Sequence, residues 1–157
     1  MAFVDFKLIK NNYGLYDINF IDGDIEITQG FETSLLMTVL CERRASASEI
    51  SIAQKRRGWW GNAFLGYNNF EQGSKLWLLS QARADQLTLN NAKTFLNNAL
   101  QWYITDSLLS NFTVDTSYNA QKELLIKISL IISSDIVLSK YFKLWQNTIQ
   151  ELENDIN

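Results

Sequence analysis

The sequence predicts an α+β fold: an N-terminal β-hairpin, then three helices packed on a small antiparallel C-terminal β-meander. Three observations carry that prediction. Asp22-Gly23 lies between alternating apolar runs, the strongest short-range signal for a hairpin. Apolar residues recur at helical spacing over residues 30–44 and again over 89–106. From residue 112 the pattern switches to strand alternation through residue 132, and Ser133-Ser134-Asp135 breaks the run before a third candidate strand over 136–144.

The elements follow in order. Residues 1–12 read as an N-terminal arm or edge strand, and residues 16–28 as strand, turn, strand through Ile18, Phe20, Ile25 and Ile27. Gly30 to Arg44 predicts the first helix, with Phe31, Leu35, Leu36, Val39 and Leu40 on one face. Glu32 at its start and Arg43-Arg44 at its end suit the helix dipole. Residues 45–55 are small and polar and read as a loop, as does 62–72 with Gly66, Asn68 and Asn69. Ser74 can cap a short second helix carrying Leu76, Trp77, Leu78 and Leu79, and Thr88 can cap the longest, over 89–106. Phe112, Val114, Thr116 and Tyr118 then alternate, as do Leu124, Ile126, Ile128, Leu130 and Ile132, with 136–144 as a third strand. Residues 146–157 read as a C-terminal helix or a frayed tail. No repeat or linker divides the chain, so 1–157 is expected to be a single domain.

Composition narrows the function. The chain has 157 residues, 46% hydrophobic and 20% charged, enough apolar material for one core. A net charge of −3 gives no general attraction to nucleic acid or an anionic membrane, and neither partner is expected. Lys55-Arg56-Arg57 beside two tryptophans is the one stretch suited to a base-stacking groove, and it is short. With no histidine and one cysteine, the usual general base and the usual zinc ligands are missing, so no metal, cofactor or catalytic residue is expected. Proline is absent too, and we have no physical account of that. No apolar run reaches membrane-spanning length, and the start lacks a secretory signal, from which a cytoplasmic protein is expected.

The densest stretch is Arg56-Arg57-Gly58-Trp59-Trp60-Gly61. Glycines on either side allow a tight turn that delivers both indoles inward, and an arginine can stack on an indole face. Read this way, the block locks the core; the alternative leaves one Trp or Arg exposed as a docking hot spot. Glu42, Arg43 and Arg44 precede it, and Glu42 can pair with a neighbouring arginine or with Arg56 or Arg57. A lysozyme-like cell-wall hydrolase needs two carboxyls across a cleft, one with a raised pKa. Glu42 beside arginines faces the opposite influence, and Glu49 and Glu71 lie in loops.

These residues also carry a resemblance. Ser34-Leu35-Leu36, Glu42-Arg43-Arg44-Ala45, the Arg-Arg-Gly-Trp-Trp-Gly block, Gly73-Ser74-Lys75-Leu76-Trp77-Leu78-Leu79 and Ala99-Leu100-Gln101-Trp102 occur in that order. Over roughly residues 15–145 the chain resembles the phage-Mu-type tail baseplate protein family, itself similar to the T-even baseplate wedge protein that starts the contractile sheath. Lys55 and Asn62 depart from the acidic residues that flank the family's tryptophan block, and Ser46 to Ser51 replaces an acidic stretch.

The resemblance implies a structural wedge component of a contractile phage tail or related injection system, present in multiple copies in a six-fold baseplate and monomeric when isolated. It implies a virion protein, assembled in the host bacterial cytoplasm. Its partners would be the tail sheath protein and other baseplate wedge proteins, with the tail tube or hub as further candidates. Sheath polymerisation would start by strand addition to the C-terminal β region. The sheath-binding strand would be Val137, Leu138, Ser139, Lys140, Tyr141, Phe142, Lys143 and Leu144. Glu42, Arg43, Arg44, Arg56, Arg57, Gly58, Trp59, Trp60, Gly61 and Trp77 would lock the fold or dock on neighbouring wedge proteins.

Overall fold

The computed structural model describes residues 4–51, 54–64, 70–145 and 148–153. Gly66, Asn68 and Asn69, expected in a loop, lie outside the described residues, as do parts of the expected arm and tail. The chain divides into two compact units, Met1–Met37 and Thr38–Asn157.

The first unit is a three-armed arrangement of short strands. β1 (Val4–Phe6) pairs with β6 (Ile27–Gln29), β2 (Leu8–Lys10) with β3 (Tyr16–Ile18), and β4 (Phe20–Ile21) with β5 (Asp24–Ile25), all antiparallel. The Asp22-Gly23 turn forms as expected, with φ of 51° and 85°, the left-handed angles that a tight hairpin requires. Its flanking strands are paired differently. Residues 16–18 pair with β2, not with 27–29, because the arms meet at a polar junction. There Lys7 N–H donates to the Glu26 carbonyl (2.8 Å), Asn19 N–H to the Lys7 carbonyl (3.0 Å), and Glu26 N–H to the Asn19 carbonyl (2.9 Å). The side chains repeat the pattern, since Asn19 Nδ2 and Lys7 Nζ both donate to the Glu26 carboxylate. Those two bonds, Asn19 first, hold the Glu26 pKa below its ordinary value.

α1 (Glu32–Leu40) carries the boundary between the units. Thr33 Oγ1 at its start donates to the Phe6 carbonyl at 2.6 Å. Phe31, Leu35, Leu36 and Val39 are buried, matching the expected face. The helix stops at Leu40, short of the expected Arg44, because residues 41–45 run between two other segments and bond to both.

In the second unit, Trp60–Ala63 and Leu76–Leu79 are single 3₁₀ turns. α2 (Gln86–Thr105) is the long helix. Its cap is Asp85, whose side chain accepts the Thr88 N–H at 2.8 Å; Thr88 itself is inside the helix. A four-stranded antiparallel sheet follows in the order β10-β9-β8-β7. Its strands are β7 (Asn111–Tyr118), β8 (Leu124–Ile132), β9 (Asp135–Trp145) and β10 (Thr148–Leu152). One face aligns Val114, Thr116, Ile126, Ile128, Leu130 and Phe142 through the register. α2 covers that face, since Thr116 Oγ1 and Tyr118 OH donate to the Leu89 and Asp85 carbonyls. Leu96, Leu100 and Tyr103 of α2 and Ile126, Ile128, Leu130 and Phe142 of the sheet are fully buried. Each such side chain contributes about 1.5–3 kcal/mol relative to exposure.

The expected fold class therefore needs correction. Among the described residues there are two α-helices, not three, and the strands form four sheets rather than a hairpin and a meander. The middle helix shrinks to one 3₁₀ turn because Trp77 and Ser74 are tied to residues 39–43, as set out below. The C-terminal segment supplies a fourth strand in place of a helix or frayed tail, through the pairing of Ile149 with Leu144 and Glu151 with Phe142.

Candidate docking surface

The motif residues are stitched together by residues 41–45. On one side, Trp59 N–H donates to the Glu42 carbonyl (2.7 Å) and Ala45 N–H to the Arg56 carbonyl (3.0 Å). On the other, Ser74 N–H donates to the Cys41 carbonyl (2.9 Å) and Arg43 N–H to the Ser74 carbonyl (2.8 Å). Ser74 Oγ donates to the Val39 carbonyl, and Trp77 Nε1 to the Arg43 carbonyl at 2.9 Å. A strand-like segment that spends both edges leaves its backbone groups satisfied inside the fold.

Two glycines are needed because of close approach. At Gly73, with φ of 107°, a Cβ would fall 2.6 Å from the Cys41 carbonyl oxygen. At Gly61 a Cβ would fall 2.3 Å from the Trp59 ring, so the indole lies directly on the glycine. Gly58 has φ of 119° and faces Arg44 Cβ.

The charged residues divide by direction. Arg57 Nη1 pairs with Glu42 Oε1 at 2.6 Å while its Cζ lies 4.7 Å from the Trp77 ring centroid. Arg43 Nε pairs with Glu71 at 3.3 Å, and Arg56 Nε donates to the Ala45 carbonyl at 2.6 Å. Arg44, Lys55 and Arg56 are exposed. Trp59 is half-buried, whereas Trp60 is 74% exposed, with Phe64, 79% exposed, edge-on to it at 6.0 Å. Glu42, Arg43, Arg56, Arg57, Trp59 and Trp77 thus bond or pack within the stitched block, with Gly61 beneath Trp59 and Gly58 against Arg44. Arg56, Arg57 and Gly58 nevertheless remain exposed, as do Arg44 and Trp60.

Some contributors had no sequence signal. The Asn62 side chain clamps Gln72, donating to its carbonyl and accepting its N–H at 2.8 Å. Phe64 lies in a stretch with no periodicity. Glu49 bridges the loop by bonding Lys75 Nζ (2.8 Å) and the Ser46 N–H (2.7 Å). The Lys75 bond, then the Ser46 backbone, pull its pKa down to about 2. Carboxylates held this low are suited to holding loops, not to giving up protons as general acids.

The second candidate region is the C-terminal sheet. Residues 137–144 lie within β9, between β8 and β10. β10 covers only the stretch from Tyr141 to Trp145. Among the described residues no strand pairs with Ile136 to Ser139 on that side, Lys140 Nζ reaches across to Glu151 of β10 at 2.7 Å, and the sheet order ends at β10. Phe142 and Leu144 are buried, Tyr141 lies beneath Lys127 (5.3 Å), and Lys143 pairs with Glu123 (3.1 Å). Val137 is the extra residue of a bulge opposite Leu130 and Ile131, and both Ile136 and Val137 are exposed.

Comparison with known proteins adds a family. The model of the family described as "Phage protein GP46" matches residues 31–135. The chain is 31% identical over 125 residues to "Baseplate protein gp46" of Escherichia phage Mu, covering 78% of this chain and 84% of that protein. It is 31% identical over 127 residues to "Mu-like prophage FluMu protein gp46" of Haemophilus influenzae, covering 78% and 90% respectively.

Proposed function

The chain belongs to the phage protein GP46 family, and on that premise we propose that it is a structural baseplate component of a contractile tail or related injection system. In this reading it sits in the tail and initiates the sheath by accepting a strand from the first sheath ring at the open edge of its C-terminal sheet. The observation that carries it is the four-stranded sheet ending in the short β10, which among the described residues leaves Ile136 to Ser139 of β9 beyond the reach of that strand's pairing. Unpaired edges offer backbone groups for strand addition, and side-chain pockets then set register. Val137 to Ser139 would meet the incoming strand, and Lys140, paired with Glu151, and Tyr141 to Leu144 would support it from within the sheet. Trp60, Arg44 and Arg56, all exposed, would dock on neighbouring wedge proteins, since Trp and Arg are enriched at hot spots.

The test is electron microscopy of tails made without the chain and with it restored. Expected is a tube and baseplate without sheath on deletion. Ile136→Asp with Val137→Asp should keep the chain in the baseplate and still prevent sheath growth. Normally sheathed tails in the deletion would remove the initiator role.

A further inference from the structure

We propose that the exposed β4–β5 finger of the Met1–Met37 unit inserts into a groove on another tail protein, one with apolar walls and a lysine- or arginine-lined floor. The first argument is where the apolar surface lies. Nine of the fifteen large hydrophobic side chains exposed among the described residues fall between Val4 and Ile27. Such a concentration marks a surface that a partner covers. Strand pairs this short have little independent stability, and among the described residues each sheet of this unit has two strands.

The finger's shape selects the partner's. Phe20 pairs with Ile25 on one face and Ile21 with Asp24 on the other. Phe20, Ile21 and Ile25 are 62%, 50% and 43% exposed, so neither face is covered. A flat sheet or a membrane surface can cover one face of a hairpin; covering both takes a groove with two walls.

Charge selects the floor. Residues 1–37 contain six carboxylates and two lysines. One of those lysines, Lys7, is already held by Glu26. Asp22 and Asp24 stand at the tip of the finger, and Asp17 on the neighbouring hairpin, all exposed. The complementary surface is therefore cationic, which an anionic lipid surface is not. A second copy of this chain fits less well. Its basic aromatic patch presents Trp60 and Phe64 as projecting rings, 74% and 79% exposed, and projecting rings do not make a groove. The inference rests on the baseplate reading only for where the partner is found.

The test uses the full chain in tails purified from the producing phage, with two variants. One is Phe20→Asp with Ile25→Asp; the other is Asp17→Lys with Asp24→Lys. Copies of the chain per tail are counted by quantitative mass spectrometry, and the free proteins are melted in parallel. Expected is at least a tenfold loss of copies in both variants, with melting unchanged. A photoreactive benzoylphenylalanine at Ile21 should cross-link to a peptide of another tail protein in which lysine or arginine flanks apolar residues. The charge pair stays decisive if the aspartate pair fails to fold. Wild-type copy number in either folded variant, or cross-links confined to a second copy of the chain, would overturn the proposal. Failure of the sheath-initiator reading looks different, because there the chain stays in the baseplate and sheath growth is normal.

Discussion

Glu26 and Glu42 each stand where separate segments of the chain meet, but the two crossings are built differently. At Glu26 three arms close a ring of backbone bonds, and the carboxylate binds Asn19 and Lys7 at the surface, with apolar side chains turned outward around it. At Glu42 the backbone is tied on both sides and the neighbours include two glycines into which no side chain fits. The first crossing is held by hydrogen bonds that water can replace. The second adds to its hydrogen bonds a close packing that water cannot replace. A polar knot sets the geometry of a surface unit cheaply in buried area, while a packed knot makes the fold dependent on single atoms.

Four experiments bear on that contrast. The largest effect is expected from Gly61→Ala or Gly73→Ala, where a methyl would collide with the Trp59 ring or the Cys41 carbonyl. Each should cost about 3 kcal/mol or more, and lower the calorimetric midpoint by roughly 6–12 °C. A melt within a degree or two of wild type would mean that the crossing yields more than packing suggests. Trp77→Phe keeps the ring but removes the indole bond to the Arg43 carbonyl and weakens the Arg57 contact. The expected loss is about 1–2 kcal/mol in urea unfolding.

The third experiment is a pH series. Glu49 titrates at about 2 in the folded protein and near 4.3, roughly, when unfolded. Its folded pKa is depressed, so its contribution is present above the unfolded value and is lost as pH falls towards about 2. Glu49→Gln should flatten the stability curve across that window, with its full deficit against wild type above pH ~5 and that deficit closing as pH falls towards about 2. An acid limb as steep as wild type would assign acid sensitivity elsewhere. The smallest effect is expected at the polar crossing. Glu26→Gln should leave the main melting transition in place while hydrogen exchange quickens at the amides of Lys7, Asn19 and Glu26, the three donors of the ring. If it lowers the midpoint as far as the glycine variants do, the contrast between the two crossings fails.

The sequence made some of this legible. Alternation from Phe112 to Ile132 and the face of α2 match the structure because burial on one face imposes a period that can be read directly. Asp22-Gly23 was readable because few residue pairs adopt those angles. The pairing of residues 16–18 was not, since the junction depends on Lys7, Asn19 and Glu26, which share no period. Thr148-Ile149-Gln150-Glu151-Leu152 has residues common in helices, and pairing with β9 overrides that preference. In the motif block, the need for glycines at a tight turn could be anticipated, while the outward direction of Trp60 could not. Tryptophan is highly buried on average, and here the Trp59 ring lies on Gly61 while the next indole is left exposed.

The stitch through residues 41–45 also orders events in time. Its bonds to the later segment join residues far apart in the chain: Trp77 to Arg43 spans 34 positions and Ser74 to Val39 spans 35. The strands of the C-terminal sheet are joined by short turns, so their pairing closes small loops. Loop closure costs more entropy as the loop lengthens, so the meander is expected to assemble first and the Ser74–Trp77 side of the stitch to be drawn in late. A slip that leaves the stitch unmade would then release a molecule with a finished sheet and a loose middle, able to display a sheet edge before its docking surface exists.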